Sequence, residues 1–72
     1  MIVQLTSTLR KGRFEKSEIH LPQGAKISDL LDYLGISEDE VGALVVDKRD
    51  GTFDQELKED SFVTIIPLIG GG

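Results

Sequence analysis

The sequence predicts an α+β domain of two layers, one sheet of about five strands with a single helix lying across one face. Three observations predict it. Apolar and polar residues alternate near both ends of the chain, the pattern of half-buried strands. In the middle the period lengthens, with Ile27, Leu30, Leu31 and Leu34 at i, i+3, i+4 and i+7, one stripe of a helix. Turn-forming clusters separate these runs and no linker or repeat interrupts them, so residues 1–72 read as one domain.

The first strand is expected over Ile2 to Leu9, with Val3, Leu5 and Leu9 on one face and Gln4, Thr6 and Thr8 on the other. Arg10-Lys11-Gly12-Arg13 punctuates it. Phe14 to Leu21 resumes the strand pattern, Ile19 and Leu21 opposite Glu18 and His20, so the pair reads as a hairpin turning around Gly12. Pro22-Gln23-Gly24 ends the second strand. The helix starts at Ile27, capped by Lys26 or Ser28, and stops at Gly35, a natural C′ residue. Ile36 to Gly42 reads as a polar connection in which Ser37 begins a helical turn. Ala43 to Asp47 is a short, nearly all-apolar strand, followed by an Asp50-Gly51 turn signal and a short return strand at Thr52-Phe53. Lys58-Glu59-Asp60 makes a turn before the last strand, Phe62 to Pro67. The helix stripe needs an apolar sheet face, which Val3, Leu5, Ile19, Leu21, Val63 and Ile65 supply. Phe62, Thr64 and Ile66 then face the other way.

A chain of 72 residues lies near the low end of what one apolar core holds together without staples. There is no cysteine, and His20 and the scattered carboxylates lack metal-ligand spacing, so no metal and no bound cofactor are expected. Eight basic residues against 13 acidic, a net charge of −5, argue against nucleic acid as a partner and toward a basic protein surface. No run approaches the roughly 20 apolar residues that span a bilayer, and Met1-Ile2-Val3-Gln4 lacks the layout of a secretory signal. A cytoplasmic chain without a membrane partner is expected. No nucleophile with a neighbouring base, phosphate-binding loop or paired carboxylates can be assembled, which points to a substrate of enzymes and away from a catalyst. The basic cluster Arg10, Lys11 and Arg13 reads as a solvated hairpin tip. The acidic run Glu38-Asp39-Glu40 reads as a solvated loop unless a partner offers it a basic face.

The chain closes on Ile69-Gly70-Gly71-Gly72. By itself that run fits a frayed end or a linker remnant as well as a device. Glycine adds nothing to a core, but a glycine tail is thin and adopts backbone angles closed to residues with a Cβ. Pro67 donates no ladder bond and sits near the end of pairing, which leaves Leu68 and Ile69 exposed beside the tail. Ile66, Pro67, Leu68, Ile69 and Phe62 are therefore the candidate docking patch.

Three segments in this order carry a resemblance. They are Lys26-Ile27-Ser28-Asp29-Leu30-Leu31-Asp32-Tyr33-Leu34-Gly35-Ile36, Leu57-Lys58-Glu59-Asp60-Ser61-Phe62-Val63-Thr64-Ile65-Ile66-Pro67, and the final Ile69-Gly70-Gly71-Gly72. From end to end the chain resembles the ubiquitin-like β-grasp proteins, and among them the prokaryotic sulfur carriers, the thiamine sulfur carrier and the small subunit of molybdopterin synthase. It departs from them at Lys58-Glu59-Asp60, where the family often has Asp-Gly-Asp. The resemblance implies a β-grasp fold, a mixed sheet of four to five strands with one helix packed across one face, followed by a flexible glycine tail at residues 70–72. It implies that Gly72 is adenylated by a ubiquitin-activating-type adenylyltransferase, which uses ATP, and converted to a thiocarboxylate. Gly70 and Gly71 would form the access path. The sulfur would pass to a synthase, the molybdopterin synthase large subunit in the favoured branch or thiazole synthase in the alternative. A ubiquitin-like protein modifier or interaction module is the competing class.

Overall fold

Alternation at the N-terminus produces strand β1 (Ile2–Leu5), in which Val3 and Leu5 are buried and Ile2 and Gln4 half-covered. The computed structural model describes residues 1–68, so the expected glycine tail and Ile69 lie outside the described residues. β1 pairs antiparallel with β2 (Lys16–Glu18) and parallel with β5 (Phe62–Pro67). On its other side β5 pairs antiparallel with β3 (Val41–Val46), which carries the two-residue edge strand β4 (Arg49–Asp50). The order β2-β1-β5-β3-β4 is a mixed five-stranded sheet, and with one helix it is the α+β, ubiquitin-like β-grasp arrangement that the resemblance implies.

The helix α1 (Ile27–Leu34) turns Ile27, Leu30 and Leu31 into the same core as Val3, Leu5, Val63 and Ile65. Leu21 and Leu34 are only half-buried. Met1, Leu9, Ile19, Ile36, Leu44, Val46 and Leu57 complete the core. Of the two candidate caps Lys26 is the one used, yet an ammonium accepts no hydrogen bond. The loop before β5 makes good the deficit: the carbonyls of Gln55 and Phe53 accept from the N–H groups of Ile27 and Ser28, each at 2.9 Å. The Asp29 carboxylate accepts from the Lys26 N–H at 2.8 Å, and it also suits the positive end of the helix dipole.

At the other end Gly35 takes the left-handed conformation, with φ 72°. Its N–H reaches the Asp32 carbonyl at 3.2 Å and the Ile36 N–H reaches the Leu31 carbonyl at 2.9 Å, a Schellman motif closed by the buried Ile36. Arg13 then donates to two carbonyls at the helix end, Leu34 and Gly35, and to that of Leu9 in its own loop, each at 3.2 Å. This residue of the expected basic cluster is thus a tie between hairpin loop and helix end. Its cation lies where the dipole favours one.

Three sequence expectations change. β1 ends at Leu5, and Ser7–Arg10 forms a 3-10 turn entered through Ser7 at φ 52°. Leu9 is buried all the same, because the turn swings it under the sheet, so alternation alone gives no sign that the strand has stopped. β2 shortens to three residues within the expected Phe14 to Leu21. Gly12 still turns the connection, at φ 72°.

The third correction concerns the β3–β4 hairpin. Its turn is Asp47-Lys48, with φ 51° and 71°, and its return strand is Arg49–Asp50; the expected Asp50-Gly51 turn and Thr52-Phe53 strand do not form. Asp47 tolerates the left-handed region, and its carboxylate accepts from the Phe62 N–H at 2.9 Å. Gly51 serves another purpose, since a Cβ there would lie 2.7 Å from Val46 Cγ2.

Leu30→Ala removes a side chain with no solvent exposure and should lower the unfolding free energy by about 2–5 kcal/mol. Tyr33→Ala, on the exposed face of the same helix, should change it by less than about 0.5 kcal/mol. Urea denaturation of the two variants measures both.

Candidate functional site: where the last strand leaves the body

β5 forms where β-branched residues run through Val63, Thr64, Ile65 and Ile66, and it is gripped on both edges. Alternation divides its side chains. Val63, Ile65 and Pro67 are buried, whereas Phe62, Thr64 and Ile66 face away from the helix. On that outer face Phe62 stands opposite Ile2, Thr64 lies between Gln4 and Val45, and Ile66 stands opposite Ala43. The Lys16 ammonium sits 5.7 Å from the centroid of the Phe62 ring, a cation–π contact worth about 0.5–1 kcal/mol at an exposed site. Phe62 is 38% exposed and Leu68, two residues past Ile66, is 62% exposed. An apolar strip therefore runs up the centre of the outer face to the last described residue.

Of the five residues expected to form a docking patch, Phe62, Ile66 and Leu68 fall on this strip. Pro67 leaves the set: it is buried on the core side, paired opposite Val41, because it continues the inward parity of Val63 and Ile65. Ile69 and the expected site residues Gly70, Gly71 and Gly72 lie outside the described residues.

The acidic run occupies a place the sequence does not reveal. Glu38–Glu40 is a 3-10 turn held by a capping box, in which the Ser37 hydroxyl accepts from the Asp39 N–H at 3.3 Å and the Glu40 carboxylate accepts from the Ser37 N–H at 2.8 Å. The Glu40 carbonyl in turn accepts from the Leu68 N–H at 2.8 Å. Three exposed carboxylates therefore gather beside the point where the chain leaves the sheet. Such a rim favours approach to a basic surface and repels an acidic one. In the basic cluster Arg13 is committed to the helix end, and Arg10 meets Glu15 at 3.1 Å across an exposed pair of small energetic weight.

Gly42 is a second residue that sequence reasoning passes over. It stands inside β3 at the register shift between Val41 and Ala43. The sequence reading places it at the end of the Ile36 to Gly42 connection, whereas β3 begins at Val41, and a lone glycine inside a strand marks a bulge or a close backbone approach. Among the described residues no group of three His, Cys, Asp or Glu side chains is placed to hold a metal ion, and no helix is long and apolar enough to cross a membrane. The arrangement presents an exposed apolar strip, an acidic rim and the point at which the chain leaves the sheet.

Comparison with known proteins agrees with this architecture. The model of the ThiS family matches residues 3–72. No curated protein matches the sequence. Among solved structures, a putative molybdopterin converting factor, subunit 1, from Pyrococcus furiosus is similar, with a TM-score of 0.76 and 25% identity over 94% of this chain and 95% of that one. Two structures of SAMP1, the small archaeal modifier protein 1 of Haloferax volcanii, share the fold. One has a TM-score of 0.75 and 15% identity over 99% of this chain and 97% of that one. The other has a TM-score of 0.75 and 13% identity over 94% and 95%.

Leu68→Asp should alter the unfolding free energy by less than about 0.5 kcal/mol, as at other surface positions. Pro67→Ala, on the buried side of the same strand, should cost more. Parallel urea melts check the ranking.

Proposed function

The chain belongs to the ThiS family, and we propose that it is a sulfur carrier whose Gly72 is adenylated and converted to a thiocarboxylate for cofactor biosynthesis. The observation that carries the proposal is that the family match runs through residue 72, directly beyond a central strand that delivers the chain to an exposed edge. A carboxylate is a poor electrophile. Its reaction with ATP gives an acyl adenylate and releases pyrophosphate; a sulfide-equivalent nucleophile then attacks the acyl carbon and AMP departs. The adenylate hydrolyses if water reaches it, so activation belongs in an enclosed site on a partner enzyme. A thin tail of Gly70, Gly71 and Gly72 suits entry to such a site. The chain is the substrate of these steps, and no bound cofactor is needed on it.

The partners are an adenylyltransferase of the ubiquitin-activating type and a synthase that accepts the sulfur. Gly72 lies four residues beyond Leu68, a reach of only about 13 Å when extended. The body must therefore dock against the activating site, and the strip of Phe62, Ile66 and Leu68 with its acidic rim is the surface placed to do so. Likeness to the Pyrococcus furiosus molybdopterin converting factor favours the molybdopterin branch, with thiamine thiazole formation as the alternative. The competing class is a protein modifier joined through Gly72 to a lysine. The fold shared with a small archaeal modifier protein is consistent with that class, but at 13% identity the likeness extends to the fold alone.

Intact mass of the protein isolated from its own cells separates these readings. Replacement of one oxygen by sulfur identifies the carrier, and a branched conjugate identifies the modifier. Deleting Gly72, or adding one residue after it, should abolish ATP–pyrophosphate exchange by the activating enzyme while leaving the thermal melt unchanged; exchange retained in either variant refutes the assignment of Gly72. Leu68→Asp and Ile69→Asp should each weaken binding to that enzyme about tenfold or more, a loss of about 1.4 kcal/mol. An unchanged dissociation constant would remove those residues from the docking surface.

A further inference from the structure

Gly42 needs to be glycine for a reason that its own backbone conformation does not supply, since its φ is not positive. The reason is space. A Cβ at this position would lie 2.7 Å from the Pro67 carbonyl oxygen, 2.9 Å from Leu68 Cα and 3.0 Å from Leu68 N. All three are backbone atoms, so no side-chain rotation relieves the contact. They also belong to the two residues at which the chain leaves the sheet.

We propose that Gly42 is a positioning residue that sets the point from which the C-terminal segment departs, a role that rests on the carrier reading above and that none of the comparisons assigns. Three constraints meet there. Pro67 has its φ fixed by its ring and is buried on the core side opposite Val41. The Leu68 N–H is held at 2.8 Å by the carbonyl of Glu40, two residues before Gly42. Gly42 is the extra residue of a bulge: Val41 pairs with Pro67 and Ala43 with Ile66, so Gly42 has no partner across the ladder. The backbone of Pro67 and Leu68 passes flush against it. A side chain at position 42 must push that backbone away from β3 and break the bond from Leu68 to Glu40.

Of the buried residues of β5 only Pro67 borders position 42, because Val63 and Ile65 pair upstream with Val46 and Leu44, and Gly42 is exposed. Of the docking strip, Phe62 and Ile66 stay in place and only Leu68 shifts. What changes is the origin of the last four residues. With a reach of about 13 Å, a displacement of an ångström or two at that origin is a large fraction of the available adjustment, and misplacing a reacting group by about 1 Å can cost a hundredfold in rate. The signature of Gly42→Ala is therefore a loss in the rate of chemistry at Gly72 without a matching loss of affinity.

The experiment has two arms, on the full chain. In the first, amide hydrogen exchange by NMR is followed at Leu68 in the wild-type protein and in Gly42→Ala. The wild-type amide should be protected, and the variant should lose that protection by at least tenfold while the amides of Val63 and Ile65 keep theirs. An unprotected Leu68 amide in the wild type, or one equally protected in the variant, overturns the proposal. This arm needs no partner, so it decides the positioning role even if the carrier reading fails. In the second, the activating enzyme from the same cells is assayed with both proteins. Adenylation of the wild type supports the carrier reading, and its absence refutes that reading. Given wild-type adenylation, Gly42→Ala should lower kcat at least tenfold with KM within about threefold; unchanged kcat overturns the positioning role. Ala43→Gly, a change beside the bulge that adds no atoms, should behave as wild type in both arms. Should Gly42→Ala lose protection throughout β5, its role is that of an ordinary fold residue and the proposal falls.

Discussion

The structure depends on one constraint: the last strand in sequence is the central strand in space. β5 is paired along one edge with β1 and along the other with β3, and Val63 and Ile65 have no solvent exposure. Within the sheet, the N-terminal hairpin of β1 and β2 and the β3–β4 hairpin are joined through β5. The parallel pairing of β1 and β5 joins residues about sixty positions apart, so closing it costs loop entropy that local contacts do not offset. Apolar burial has to carry that cost, and the core residues that join those of β5 come from segments far apart in sequence: Leu9 from the 3-10 turn, Leu30 and Leu31 from α1, Leu44 and Val46 from β3. A chain leaving from such a strand is anchored on two sides. The body can then serve as a rigid handle for whatever happens beyond residue 68.

Helix α1 shows how a short element compensates for a poor sequence. Eight residues make a marginal helix in isolation. Lys26 brings no capping acceptor, but the carbonyls of Phe53 and Gln55 supply two, and the bridge between Lys26 and Glu56 lays that loop against the helix start. The loop is in turn held by the buried Leu57, whose N–H reaches the Ala25 carbonyl at 2.8 Å. At the far end Gly35, Ile36 and Arg13 supply a stop, an apolar clasp and a cation. Each end thus draws on a segment distant in sequence, the Phe53–Gln55 loop at the start and Arg13 at the stop.

Periodicity shows in the sequence wherever one face is apolar. The helix bounds, the core stripe and the whole of β5 from Phe62 to Pro67 are legible on that account, and so is the turn begun at Ser37. What is not legible has a common cause, namely that the same residue types serve two geometries. Leu9 reaches the core through a 3-10 turn as readily as along a strand. Asp47-Lys48 makes a left-handed turn that Asp50-Gly51 advertises more strongly, because the stabilising bond from Phe62 to the Asp47 carboxylate comes from another strand. The apolar strip of the candidate site is half legible. Parity of β5 puts Phe62 and Ile66 outward, but the same parity, carried one step further, puts Pro67 inward, and its missing N–H is a poor guide to its burial. The closeness of Glu40 and Gly42 to the chain exit is a tertiary fact with only a strand-interior glycine to hint at it.

The two glycine groups of this chain solve opposite problems. On the proposed reading, glycine at residues 70–72 removes side chains so that a segment can be accepted elsewhere, and glycine at residue 42 removes one so that a segment can be held here. The bulge at Val41/Ala43 is what turns the second into a device: it adds a residue to β3 without a partner on β5, and the unpartnered position is filled by the backbone of Pro67 and Leu68 itself. A regular ladder would have let the strand end fray, because the last pair of an antiparallel ladder is gripped on one side only. Burial of the Pro67 ring, the bond from Leu68 to Glu40 and contact with Gly42 hold that end in three directions. The body is thereby held firm up to Leu68, and on the proposed carrier reading, delivery of Gly72 to an enclosed site on another protein requires a boundary that sharp.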